Sequence, residues 1–253
     1  MQGWKCGFTL DHYREMLEFA LDASVRFLGL RDMRAGVPEG RVILMRHDID
    51  FSVIDALHMA RLEESFGIHT TYSVLLHSPL YNVGELQTRM MLREIVSLGH
   101  EMALHWDLGF FRECDIDPRK GLEAEVRYLE TVVGTQICSI SQHKPWTYGV
   151  YTSFGDADYV DAYTHPSLRG MLYVSDSGRK WRDRCVHGYL AVENRLHVLI
   201  HPEWWSRDGR HSRRSVIDHL TQVRQREIES NMLEYADSVE RYLREREARN
   251  QLP

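Results

Sequence analysis

The chain has 253 residues, 43% hydrophobic and 27% charged, the composition of one soluble globular domain with a sizeable core and room for an α/β barrel. Its formal net charge of −6 excludes the concentrated basic field that nucleic-acid binding uses, and the short basic blocks "SRDGRHSRR" and "REREARN" read as solvated helix ends or loops. The first residues carry no apolar run of signal-peptide length, and no stretch approaches the ~20 apolar residues that span a bilayer, so a cytoplasmic chain without a transmembrane segment is expected.

Residues 10–30 have apolar positions at helical spacing and predict a helix that caps one end of the domain. "RVILMRH" follows the turn "GVPEG" and reads as a buried strand. "DFSVIDALHMARLEESFG" predicts a helix with Asp50 or Ser52 as N-cap, Val53, Leu57 and Ala60 on one face, and Gly67 as its stop. "HTTYSVLL" is a second strand, "VGELQTRMMLREIVSLG" a second helix and "HEMALH" a third strand. "GLEAEVRYLETVVG" is helical, with Leu122, Val126 and Leu129 in register; "QICSISQH", "GMLYVS" and "RLHVLIH" supply further strands. Strands alternating with helices of this length imply a parallel sheet, and about seven such units favour a closed or nearly closed barrel. Over residues 213–249, Val216, Leu220 and Val223 form one helical stripe and Ile228, Met232, Tyr235, Val239 and Tyr242 another. The five-residue step between them predicts two helices, or one kinked helix, covering the barrel; self-association through the second stripe is the alternative. Cys6, Cys114, Cys138 and Cys185 form no CxxC pair and read as ordinary thiols of a reducing compartment.

Four strand ends carry titratable groups: "HDID", "HWD", "QHKP" and "IHPEWW". In α/β folds the carboxyl ends of parallel strands share one rim, so residues far apart in sequence converge there. A lone histidine or aspartate at such an end is ordinarily structural. Asp48 and Asp50 are less easily explained so, because positions i and i+2 face the same side of an extended strand and two carboxylates repel unless a cation or proton lies between them. His100 and His105 are not a pair: alternation puts His100 with Met102 and Leu104, opposite Glu101, Ala103 and His105, so His100 is read as structural.

The ordered runs "RHDIDF", "LEESFGIHTTYSVLL", "LGHEMALHWD", "HKPW" and "VLIHPEWW", over residues 41–205, resemble the polysaccharide deacetylase superfamily, carbohydrate esterase family four. The likeness is to divergent members with an Asp-x-Asp first motif, several of them in surface-polysaccharide and O-antigen biosynthesis. The resemblance implies a single-domain α/β fold, a distorted (β/α) barrel with added N- and C-terminal helices. It also implies metal-dependent removal of an acyl group from an N-acetylated sugar. On the matched positions, Asp48 is the general base, Asp50 and His105 are metal ligands, and His201 is the general acid. "DSGRKW" loosely matches the motif that supports the catalytic histidine.

Two departures stand out. The resemblance puts a second histidine four residues after His105, where this chain has Gly109, and His143 occupies the place of an arginine that orients the base. His143 is therefore expected as the third ligand, with Asp107 as the local competitor. The expected cofactor is a divalent transition metal, zinc first, since a carboxylate and two imidazoles form an open site of that kind. Trp106, Trp146, Trp204 and Trp205 beside these ends are candidate sugar platforms, although some of them are expected only to close the rim. A nucleotide sugar or lipid-linked saccharide fits a cytoplasmic chain as substrate. The competing readings are a metal-free sugar-binding barrel and hydrolysis of another C–N bond, as in allantoinase-like relatives of the fold.

Overall fold

A computed structural model of the chain describes residues 6–152, 154, 158–206 and 212–250. Helix α1 (Leu10–Asp22) is capped by Thr9, whose side chain accepts from the His12 amide. It ends well before residue 30: Ser24 takes φ +55°, and the chain then forms the short strand β1 (Arg26–Leu28) and a 3-10 helix at Leu30–Ala35. Strand β2 (Val42–Ile49) is buried throughout. Ser52 caps α2 (Val53–Glu64) by accepting from the Asp55 amide, and Gly67 at φ +69° turns the chain towards β3 (Thr71–Leu75). Then follow α3 (Leu86–Ser97), β4 (Glu101–Trp106), α4 (Leu108–Glu113), α5 (Pro118–Val133), β5 (Ser139–Gln142), α6 (Pro145–Tyr148), β6 (Val160–Asp161), β7 (Leu172–Ser175), α7 (Val186–Leu190), β8 (Arg195–Ile200) and α8 (Arg213–Asn250).

All strand pairings are parallel, in the order β6-β5-β4-β3-β2-β8-β7, with β1 beside the first half of β2. Among the described residues the sheet curls into a distorted barrel that does not close, with β6 and β7 as its two edges. The Arg46 side chain, fully buried, reaches from β2 towards that gap: it donates to the Ala162 carbonyl and to the Tyr163 hydroxyl at 2.6 Å. One apolar core lies between the sheet and α2, α3 and α5, and a second joins α1, α7 and the start of α8 to β2 and β8. Burial of these faces is the main favourable term that holds the layers together.

The C-terminal region differs from expectation. It is one continuous helix, since residues 213–250 contain no Gly or Pro, and i,i+4 ion pairs such as Arg214–Asp218 and Arg244–Glu240 run along it. A five-residue step rotates by about 140° around a helix. A straight helix therefore keeps only the first stripe on the barrel: Val216 and Leu220 are buried, whereas Ile228, Met232, Tyr235 and Tyr242 are exposed. Among the described residues no helix is long and apolar enough to cross a membrane.

Candidate metal and catalytic site

The strand ends converge as parallel topology requires. Asp48, Asp50, His105, His143 and His201 all line one cavity of about 740 Å³ at the carboxyl rim of the sheet. The donor atoms of Asp50, His105 and His143 lie within 4.8 Å of one another. His105 Nε2 is 3.3 Å from Asp50 Oδ1 and 3.7 Å from Asp48 Oδ2, and His143 Nε2 is 4.0 Å from Asp50 Oδ2.

The other ring nitrogens are held in place. His105 Nδ1 faces the Ser141 carbonyl at 2.9 Å and donates its proton there, which directs Nε2 at Asp50. His143 Nδ1 faces Asp107 Oδ2 at 2.9 Å in the same way. The two Nε2 atoms and the Asp50 carboxylate point together, an arrangement that calls for a proton or a cation shared among them. Burial alone would lower the His105 pKa, but Asp48 and Asp50 outweigh it and raise it. Likewise burial would raise the Asp50 pKa, but His105, His201 and His143 hold it well below the usual carboxylate range. The pocket thus favours a positive charge between these groups, and the donor set fits a divalent cation.

Both Asp107 oxygens are engaged elsewhere. One of its oxygens accepts from the Gly109 and Phe110 amides at the start of α4, and the other orients His143; despite burial, His143 holds its carboxyl at about 2. Carboxylates behind ligating histidines fix the ring and raise its basicity. Asp107→Asn keeps the helix cap but removes this charge, and is expected to weaken metal affinity about 10–100-fold in a metal titration. An unchanged affinity would reduce Asp107 to a cap. Gly109 is explained by its neighbours: a Cβ there would stand 2.7 Å from Tyr148 Cε2 and 3.0 Å from Asp107 Oδ1. A larger side chain would displace the Tyr148 ring, Asp107 or both.

Asp48 and His201 each have a dedicated partner. Asp48 Oδ1 is 3.4 Å from Arg46 Nε, with both side chains buried. Arg46 was not anticipated, although its position two residues before Asp48 on one strand puts both on the same face. Asp176 Oδ1 lies 2.6 Å from His201 Nδ1, and the His201 amide and Trp205 Nε1 also donate to this carboxylate. Burial would lower the His201 pKa, but Asp176, with Asp50 and Glu203, raises it to about 10. Glu203, two residues after His201, is fully buried without a hydrogen-bond partner among the described residues, and no sequence signal singled it out.

The tryptophans require correction. Trp106 alternates with His105 along β4, so it points to the opposite face and is buried against Phe111, Tyr151 and Phe154. Trp204 and Trp205 are carried into the second core by the 3-10 turn Pro202–Trp204. Of the four, only Trp146, 74% exposed, lines the cavity, where Tyr163, Tyr173 and Trp181 supply further rings. His100 is buried away from the site, its Nδ1 accepting from the Thr70 amide and its Nε2 donating to the Ala60 carbonyl.

No protein-family model matches the chain, and no curated protein matches it. Solved structures give similarities. A deacetylase of Streptococcus pyogenes in complex with acetate is 17% identical, with 56% of this chain and 64% of that chain covered and a TM-score of 0.42. A CE4 family pseudoenzyme of Bacillus anthracis is 12% identical over 76% of this chain and 63% of that chain, TM-score 0.45. A family 4 acetyl xylan esterase of Clostridium thermocellum, in complex with a cobalt ion, is 16% identical over 63% and 73%, TM-score 0.40. The chain spans less than two thirds of the length of the first two.

Proposed function

We propose that this chain is a metal-dependent hydrolase of the polysaccharide deacetylase type that removes an N-acetyl group from a sugar. The observation that carries the reading is the convergence of Asp50, His105 and His143 in the cavity that also holds the Arg46–Asp48 and Asp176–His201 pairs. Asp50, His105 and His143 would hold a divalent cation, zinc first among candidates, which would supply Lewis-acid activation. Asp48, fixed and charge-balanced by Arg46, accepts the proton of the attacking water as the new C–O bond forms. His201, kept protonated by Asp176, donates a proton to the nitrogen as the C–N bond breaks, so that acetate and a free amino sugar are the products.

The exposed side chains Lys144, Lys180 and Arg182 line the same cavity as Trp146. Cations beside an aromatic ring suit a sugar carrying phosphate, which supports a nucleotide sugar or lipid-linked saccharide of surface-polysaccharide or O-antigen biosynthesis, handled in the cytoplasm. Incubating the metal-loaded protein with UDP-N-acetyl sugars and with lipid-pyrophosphate-linked N-acetyl sugars, and measuring released acetate, tests this. Release from one class is the expected result. Sugar binding without release from either, by protein that takes up no metal in the cavity, would favour the metal-free binding reading.

A further inference from the structure

Outside this cavity a second set of donors converges. Cys6 precedes α1, His12 lies on α1, and Cys185 is the residue before α7; their donor atoms all lie within 4.8 Å of one another. His12 Nε2 is 3.4 Å from Cys185 Sγ across 173 residues of sequence, and His187 Nδ1 is 3.4 Å from the same sulfur. The Cys6 sulfur lies within 4.8 Å of both the Cys185 sulfur and a His12 ring nitrogen. Both cysteines are free thiols.

Zinc-class bonds of about 2.3 Å to sulfur and about 2.0–2.1 Å to nitrogen give a tetrahedral S···N edge of about 3.5 Å. The His12–Cys185 contact is already close to that length. His12 Nδ1 faces Glu15 Oε2 at 3.3 Å, which directs Nε2 towards the sulfurs, the arrangement found behind ligating histidines. A thiol–imidazole hydrogen bond alone would need one cysteine, whereas two thiols 179 residues apart in sequence meet here, Cys185 within the core that contains Phe8, Trp181, Val186 and Trp205 and Cys6 packed against it.

We propose that Cys6, His12 and Cys185 form a second metal site, for a borderline-soft divalent cation such as zinc, with His187 flanking the remaining position. The two thiolates set it apart from the carboxylate–imidazole site in the cavity. Its place in the fold indicates a structural role: it ties the N-terminal segment and α1 to α7. The His12 ring also lies parallel to that of Trp205, at 6.3 Å and 5°, and Trp205 donates to the Asp176 that positions His201. An ion here would stiffen the support behind the cavity without touching substrate.

The test is a cobalt(II) titration of the whole chain under reducing conditions, read by the near-ultraviolet sulfur-to-cobalt charge-transfer band, which a site without sulfur does not produce. The band is expected in the wild type, in a Cys114→Ser/Cys138→Ser double variant and in His143→Ala. It is expected to be lost in Cys6→Ser and Cys185→Ser, with one bound ion fewer per chain. A folded, fully reduced wild type that shows no band overturns the proposal, as does a Cys185→Ser variant that keeps it. Should the cysteine variants not fold, the wild type and the double variant decide. A Cys6–Cys185 disulfide that, once reduced, yields no cobalt band also overturns it.

Discussion

Asp48→Asn is expected to lower kcat by about 10²–10⁴-fold while leaving the metal content unchanged. The substitution is nearly isosteric, and Asp48 contributes no atom to the cluster of Asp50, His105 and His143. What it removes is the proposed proton acceptor. The carboxylate is buried, held by Arg46 at 3.4 Å and by the Ser141 hydroxyl at 3.5 Å, so an amide can occupy the same place and still face both neighbours. Arg46 loses a charge partner but keeps the Ala162 carbonyl and the Tyr163 hydroxyl, and the Tyr163 ring lies 4.5 Å from its guanidinium carbon. Folding is therefore expected to survive, and circular dichroism beside the kinetic assay separates the two effects. Turnover within a few-fold of wild type would remove Asp48 from the chemistry.

The second large effect is on stability. Glu63, fully buried on α2, accepts from His47 at 2.8 Å, Thr70 at 2.7 Å, Tyr72 at 3.0 Å and the Tyr13 hydroxyl. These partners come from α1, β2, β3 and the segment before β3, so one carboxylate joins the layers behind β2. Removing one member of a buried charged network leaves the others desolvated and unpaired. Glu63→Ala is expected to cost about 3–5 kcal/mol, read as a lower urea midpoint. Glu63→Gln, which keeps part of the hydrogen bonding, should cost less.

The same residue gives a pH dependence with a definite sign. Burial would raise the Glu63 pKa, but His47 and His100, with the Tyr13 hydroxyl, bring it down from 4.5 to about 2. A depressed folded-state pKa contributes stability above the unfolded value that is lost as pH falls from about 4.5 towards about 2. Glu63→Gln should flatten the stability profile over that window. An alanine variant within about 1 kcal/mol of wild type would mean that the network is not a stabilising joint.

The rim residues were legible because strand ends are. Asp48, Asp50, His105, His143 and His201 sit at or just after apolar runs, and parallel topology brings such ends together whatever lies between them. Reading the tryptophans failed for a related reason: adjacency along a strand means opposite faces, so Trp106 is in the core because His105 is at the rim. β1 and β6 are three and two residues long and leave no periodic pattern. The C-terminal phase shift was visible, but a breaker-free helix resolved it by leaving one stripe exposed rather than by bending. Arg46 was hidden because a charge inside an apolar strand has meaning only once its partners across the barrel are known. Cys6, His12 and Cys185 were hidden because their spacing matches no local ligand motif.

The central claim is that His143 supplies the ligand that Gly109 cannot. Elemental analysis of wild type and His143→Ala, reconstituted with zinc under identical conditions, measures this directly. The variant is predicted to hold one ion fewer per chain at unchanged fold, and equal metal content in the two proteins would contradict the assignment.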